Sequence, residues 1–278
     1  MKRSLLVIKA EIVKQQQHDY HSWFVYLSLL VWPILGFFEV YYTYKPFEFT
    51  EYMGITNHKE LLAFLGTGFM SYTCFWSMVQ NAWSMANQER RGGTLEVTFL
   101  SPANRMAMIY GRALGALVQE TWMFCCFCIF ILFYTKAIHV YNLFLLPLVF
   151  VLLLISSTIW GGMMNAIFMF SRDASIIMNL FDTPMVLFSG ARIPSSCFPL
   201  WGKIISLFFP LTYCINIIRL VLKIQENSRG WLDNMIGLLI CLGIMILVTV
   251  FLTRKAEAKN RKTGEIQYFS IFLIPKYH

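Results

Sequence analysis

Residues 88–105 read "QERRGGTLEVTFLSPANR" and stand between the apolar runs 61–86 and 108–134. A plain connector between two helices needs only about 2–8 residues. This stretch is longer, charged and patterned. Gly92-Gly93 allows an abrupt change of chain direction. Thr94 is placed to cap a short helix, and Glu96 falls in its first turn, where negative charge is favoured. Leu95, Phe99 and Leu100 give that helix an apolar face, and Ser101-Pro102 ends it. With its apolar side on neighbouring spans and its charged end in water, it is a handle by which a soluble protein can push on the membrane part.

The flanking runs belong to a chain that avoids charge nearly everywhere. Of 278 residues, 57% are hydrophobic and 14% charged, against about 25% charged in a soluble domain. Mean hydropathy is +0.57, which places the chain in a bilayer. A spanning helix needs about 20 apolar residues to cross about 30 Å of hydrocarbon. Spans are predicted at 23–44, 61–86, 108–134, 142–170, 174–189 and 231–252. The expected fold class is an all-α integral membrane protein with six transmembrane helices, an N-terminal interfacial helix and an extracellular re-entrant helical hairpin.

The hairpin is expected in 190–230, "GARIPSSCFPLWGKIISLFFPLTYCINIIRLVLKIQENSRG". This segment is apolar enough for a bilayer, but Pro194, Pro199 and Pro210 break it, and a straight helix tolerates such breaks poorly. Two short helices that enter and return, buried against other spans, fit the pattern. A seventh span over 207–224 is the competing reading. At the other end, residues 2–21 place Leu5, Leu6, Ile8, Ile12 and Val13 on one side of a helix lying in the membrane interface; the alternative is a solvated leader.

Positive charge orients the spans. Lys2, Arg3, Lys9 and Lys14 precede the first span. Arg90, Arg91 and Arg105 lie in the 88–105 loop, and Arg254, Lys255, Lys259, Arg261, Lys262 and Lys276 follow the last span. The loops after the first and third spans hold only Lys45, Lys59 and Lys136. Both termini and the 88–105 loop are therefore expected in the cytoplasm, in the cell membrane. The first 20 residues lack the apolar core and cleavage site of a signal peptide. Net charge is +8, but the basic residues are scattered at span ends, without the basic patch and interleaved aromatics of a nucleic-acid binder.

Other chemistries have little footing. Cys125-Cys126-x-Cys128 has no metal-ligand spacing and no nearby histidine. The five histidines, His18, His21, His58, His139 and His278, do not cluster with carboxylates. No G-x-S-x-G nucleophile motif occurs. Cys197 and Cys214 fall in the segment placed outside, so a disulfide between them stays open.

"ERRGGTLEVTFLSP" (89–102) resembles the E-x-x-x-G-T-L-E-x-x-x-x-S-P element of ABC-2 type permeases, the membrane subunits of many ATP-binding-cassette exporters. "SGARIPSSCFPLWGKIISLFFPLTY" (189–213) is similar to that family's element after the fifth span: Ser-Gly, then Pro, then Pro-x-Trp, then Pro leading to Thr-Tyr. The two elements stand in family order. The resemblance implies an interface helix over 1–22, a transmembrane domain over 23–262 with a coupling loop at 87–105 and a re-entrant segment at 190–230, and a cytoplasmic tail over 263–278. It implies pairing with an ATPase subunit and with a second permease, as homodimer or heterodimer, within membrane lipids. Glu89, Gly93, Thr94, Leu95, Glu96, Ser101 and Pro102 match the positions that meet the ATPase. Ser189, Gly190, Pro194, Pro199, Trp201 and Pro210 match the re-entrant motif. The chain contains no G-x-x-x-x-G-K-[ST] phosphate loop, so no ATP cradle of that kind. ATP and magnesium belong to the partner, and this chain is expected to be neither an enzyme nor a cofactor protein.

Three polar residues in predicted spans are candidates for the translocation path: Asp182, Asn81 and Glu120. A carboxylate at mid-membrane costs at least about 2.5–3.5 kcal/mol on insertion scales, so it needs a partner or a wet route. For Asp182 the structural alternative is a bond to Asn165, Asn179 or the backbone; for Glu120, a pair with Arg112 or a neighbouring helix. For Asn81 it is interhelical hydrogen bonding. Gly111-x-x-x-Gly115 and Ser157-x-x-x-Gly161 offer small faces for close helix approach.

The function expected is export of an amphiphilic cargo, such as a drug, antibiotic, peptide or lipid, with energy from a separate ATPase. The motif wording leans to that branch over polysaccharide or lipid-linked glycan export. A membrane immunity protein that sequesters a toxic peptide is the reading from another class, and a membrane-embedded enzyme the third.

Overall fold

A computed structural model describes residues 2–19, 22–46, 58–92, 105–115, 117–135, 140–168, 174–222, 224 and 230–263. Among them the secondary structure is helical throughout. In chain order the helices are α1 (Lys2–Asp19), α2 (Trp23–Tyr44), α3 (His58–Arg91), α4 (Arg105–Leu114), α5 (Leu117–Thr135), α6 (Val140–Phe168) and α7 (Ala174–Phe188). A single 3-10 turn at Ser195–Cys197 follows, then α8 (Leu200–Phe208), α9 (Pro210–Val221) and α10 (Trp231–Thr263).

Four helices are long and apolar enough to cross a membrane, over Trp23–Tyr44, Glu60–Asn81, Leu145–Ile167 and Trp231–Lys255. The α8–α9 pair, bent by 95°, makes a fifth if it counts as one broken span. The expected third span is divided: Gly115 stands in a turn between α4 and α5. The expected fifth is short, because the 15 residues of α7 rise only about 22 Å against about 30 Å of hydrocarbon.

The bundle is built on α3 and α6, which pack along each other; α9 and α10 lie against α6, and α5 and α4 against α3. Trp160 of α6 is fully buried and joins several elements at once. Its ring meets Phe75 of α3, Phe181 of α7, Phe208 of α8 and Phe209 of the α8–α9 joint, with centroids 5.7–6.4 Å apart. Tilted and edge-on pairs of this kind are favourable beyond the area they bury. Polar side chains inside the bundle turn back on the helices: Thr67 and Ser71 of α3, Ser156 and Thr158 of α6, and Thr249 and Thr253 of α10 all donate to carbonyls three or four residues earlier. In hydrocarbon that is how a hydroxyl is satisfied when no water is at hand.

The amino-terminal helix forms as expected but seats a different face. Leu5 and Leu6 are 63% and 65% exposed, while Glu11 and Gln15 are buried. Gly111 of α4 lies against Ile8 and Glu11, and α1 packs along α4. The polar side of α1 thus meets protein and leaves its leucines for the surroundings. Gly111 serves packing within the chain, as does Ser157, whose hydroxyl donates to the sulfur of Met78.

Gly68 of α3 lies hard against the backbone of Ala191, where an added β-carbon would overlap the carbonyl oxygen. Any side chain there must displace backbone. Gly68→Ala is expected to destabilise the purified protein by about 1–3 kcal/mol, whereas Gly243→Ala, with nothing within 4 Å of the added atom, shifts it by less than about 0.5 kcal/mol. Thermal unfolding of both variants in the same detergent checks this.

Candidate functional site

Three polar contacts tie the expected path residues to their neighbours, and α3 supplies one side of each. Tyr72 donates to Asp182 Oδ1 of α7 at 2.5 Å. Ser77 donates to Glu120 Oε1 of α5. Asn81 Nδ2 donates to Gln119 Oε1 of α5 at 3.3 Å. At about 100° per residue, Ser77 and Asn81 lie roughly 140–180° around α3 from Tyr72, so these contacts occupy two sides of the helix. Glu120 is fully buried between α3 and α5. Asp182 is partly exposed, and beside it the Tyr72 ring stacks on Trp76 at 6.4 Å and 13°. Neither expected structural partner of Asp182 holds it; the partner is a tyrosine that no sequence motif marked.

The proline-broken segment follows the sequence closely. Ser189 and Gly190 end α7 in a turn, with Gly190 at φ +84°, a left-handed conformation that glycine takes without a steric penalty. Pro194 precedes the 3-10 turn and Pro199 precedes α8. Trp201 of α8 sets its ring edge-on to Phe188 at 5.7 Å. At the joint, Phe209 is extended (φ −91°, ψ 118°), as the residue before a proline prefers. Pro210 then opens α9, where its missing N–H leaves no bond unmade.

That break orphans the last carbonyls of α8, and side chains from beyond the joint satisfy them. Thr212 Oγ1 donates to Ser206 O at 2.8 Å, and Tyr213 Oη to Leu207 O at 3.1 Å. Cys241 Sγ of α10 reaches Phe208 O at 3.4 Å. The "PLTY" tetrapeptide (210–213) is therefore a C-cap supplied from the next helix. Behind it, Cys214 Sγ donates to Ser156 Oγ at 3.4 Å. Cys197 and Cys214 are both thiols, not a disulfide.

A second convergence lies one turn further along α9. Arg219 is 1% exposed, and its guanidinium sits 3.6 Å over the Phe64 ring of α3. Its Nη2 donates to Phe64 O (3.2 Å) and to Ala191 O (3.4 Å). The carbonyl it holds is the one pressed on Gly68. Its flanks, "CINII" and "LVL", are the signal in the sequence that it lies on a buried face.

Of the expected coupling residues, Glu89 falls in the last turn of α3. Gly93, Thr94, Leu95, Glu96, Ser101 and Pro102 lie outside the described residues, as does the tail after residue 263. Among the described residues no group of histidine, cysteine and carboxylate side chains is arranged to hold a metal ion.

Comparison with known proteins places these features in one frame. The model of a family described as "ABC-2 type transporter" matches residues 8–222, from α1 through the end of α9. No curated protein sequence matches the chain.

The cap at the joint gives a direct expectation. Tyr213→Phe strands the carbonyl of Leu207, which costs about 1–3 kcal/mol, whereas Thr212→Val leaves Ser206 O with the Phe209 N–H and costs about 0.5–1.5 kcal/mol. Chemical unfolding in detergent is expected to register that loss in both variants, while the exposed Lys203→Ala on α8 is expected to change stability by less than about 0.5 kcal/mol.

Proposed function

Because the chain belongs to the ABC-2 type transporter family, we propose that it is the permease through which an amphiphilic cargo leaves the cell. The membership itself makes it a multi-pass permease subunit, and in this family ATP is hydrolysed by a separate subunit. The permease family carries no cofactor of its own.

In this proposal six spans form the membrane domain. The α4–α5 pair serves as the third, the short α7 as the fifth, and α8–α9 as a re-entrant hairpin on the outer side. Both termini and the 87–105 loop face the cytoplasm of the cell membrane, with 1–22 as the interface helix, 23–262 as the transmembrane domain and 263–278 as the tail. Glu89, Gly93, Thr94, Leu95, Glu96, Ser101 and Pro102 meet the ATPase. A second permease subunit, identical or different, completes the path.

The observation that carries the cargo reading is Asp182, a partly exposed carboxylate on an otherwise uncharged helix, set beside the Tyr72–Trp76 pair. A polar group with stacked aromatic faces suits the headgroup of an amphiphile. An apolar crevice between α2 and α5, lined by Leu29, Ile34, Phe37, Trp122 and Phe127 among others, suits its hydrocarbon part. Asn81 and Glu120, also expected on the route, already have Gln119 and Ser77 as partners. On this reading the route runs past Asp182, whose carboxylate is partly exposed where Glu120 is fully buried, and the other two hold α5 to α3.

Reconstitution with the cognate ATPase tests the coupling half of the proposal. Glu96→Arg is expected to lower ATP turnover of the complex at least about tenfold, equivalent to about 1.4 kcal/mol, while the permease alone unfolds at the wild-type temperature. Asp182→Asn is expected to reduce efflux of amphiphilic dyes without lowering basal ATP turnover. Failure to form a complex with any ATPase would move the sequestering-protein reading to first place.

A further inference from the structure

Arg219 is buried without a counter-ion. Among the described residues no carboxylate pairs with it. Its charge is met only by two carbonyl oxygens and the face of Phe64, and its Nε has no acceptor. In the turn that it holds, the hydroxyl of Ser189 is also buried without a partner. Two unsatisfied polar atoms thus sit where the end of α7, α3 and α9 converge.

This arrangement is a poor way to hold three helices together permanently. An arginine taken out of water loses hydration that carbonyls restore only in part, and a well-packed apolar residue of similar volume usually stabilises such a site as well or better. Opening the contact has the opposite balance. Water entering between α9 and the Gly190–Ala191 turn would hydrate the guanidinium and complete the bonds of Nε and of Ser189 Oγ.

We infer that Arg219 is a positioning residue for transport: it latches the turn after α7 and the α8–α9 hairpin onto α3 with a contact that water can release, so that this corner opens and recloses as the cargo passes. The inference rests on the proposed transport reading only for what passes; the opening itself belongs to the permease alone. The latch therefore favours rate over rigidity. Replacing it with an apolar side chain holds the corner shut, and replacing it with lysine keeps the hydratable charge but loses the planar fork and the stacking.

The test uses the full-length permease in lipid nanodiscs, with Cys125→Ala and Cys197→Ala to remove the two exposed thiols and Ser189→Cys as the reporter. The same chain with Ser189 intact serves as the blank. Modification by a membrane-impermeant maleimide, without nucleotide, measures how often the corner opens. Arg219→Met is expected to slow labelling about tenfold with an unchanged or higher unfolding temperature. Arg219→Lys is expected to label at least as fast as the parent, with a lower unfolding temperature. In the complex with the ATPase, the Met variant should lose turnover in proportion to its labelling rate, with the KM for ATP unchanged.

The labelling rate decides. Labelling of Arg219→Met as fast as or faster than the parent, or failure of that variant to fold where Arg219→Lys folds, overturns the latch and leaves a structural clamp. Because labelling needs no ATPase, a permease that forms no complex counts against the coupling reading and not against the latch. A normal response to Glu96→Arg alongside unslowed labelling separates them the other way.

Discussion

Hydrocarbon offers no alternative partner to a polar atom, so one inside this bundle is costly unless protein meets it. The central helix α3 shows what that demands. Its hydroxyls at Thr67, Ser71 and Thr73 return to its own carbonyls, while Tyr72, Ser77 and Asn81 reach across to α7 and α5. Those outward contacts fix the rotation of α3 about its axis, because Tyr72 and Ser77 can face their partners together in only one orientation. With α3 fixed, Trp160 of α6 packs between the ring of Phe75 and those of Phe181, Phe208 and Phe209, and the positions of α7, α8 and α9 follow.

The same constraint explains the broken segment. A chain that turns by 95° inside an apolar environment exposes the end of one helix and the start of the next. Pro210 removes one donor from the problem, and Thr212, Tyr213 and Cys241 answer the carbonyls of Ser206, Leu207 and Phe208. The caps come from α9 and α10, so the joint holds its shape only while these helices stay together. A movement of α9 would therefore carry the whole hairpin with it, which is what a gate moved as one piece requires.

At the other end of the chain, α1 puts its apolar stripe and its protein contacts on different sides. The leucines do form a face, and that face is open. What binds the helix to α4 is the shape of the Gly111 surface together with the buried stems of Glu11 and Gln15. A moderately polar contact of this kind joins the interface helix to the element directly following the 87–105 loop. In the proposed mechanism, a push on the loop reaches α1 and α4 together.

The sequence by itself determined the environment, the helical class and the family. Long apolar runs with charges at their ends leave few alternatives in a bilayer, and the spacing within 89–102 and 189–213 is distinctive. It also placed the breaks at Pro194, Pro199 and Pro210, since proline acts on its own neighbours wherever the chain goes. What it left undecided was every partner far along the chain. Tyr72 meets Asp182 across 110 residues, Arg219 meets Phe64 across 155, and Gly68 is small because of Ala191. Local periodicity carries no trace of such pairs, because they depend on which helix faces lie together once the bundle has closed. Only the tertiary structure decided that one arginine of the proline-broken segment would be a buried contact between three elements, while the leucines of an amphipathic helix would remain outside.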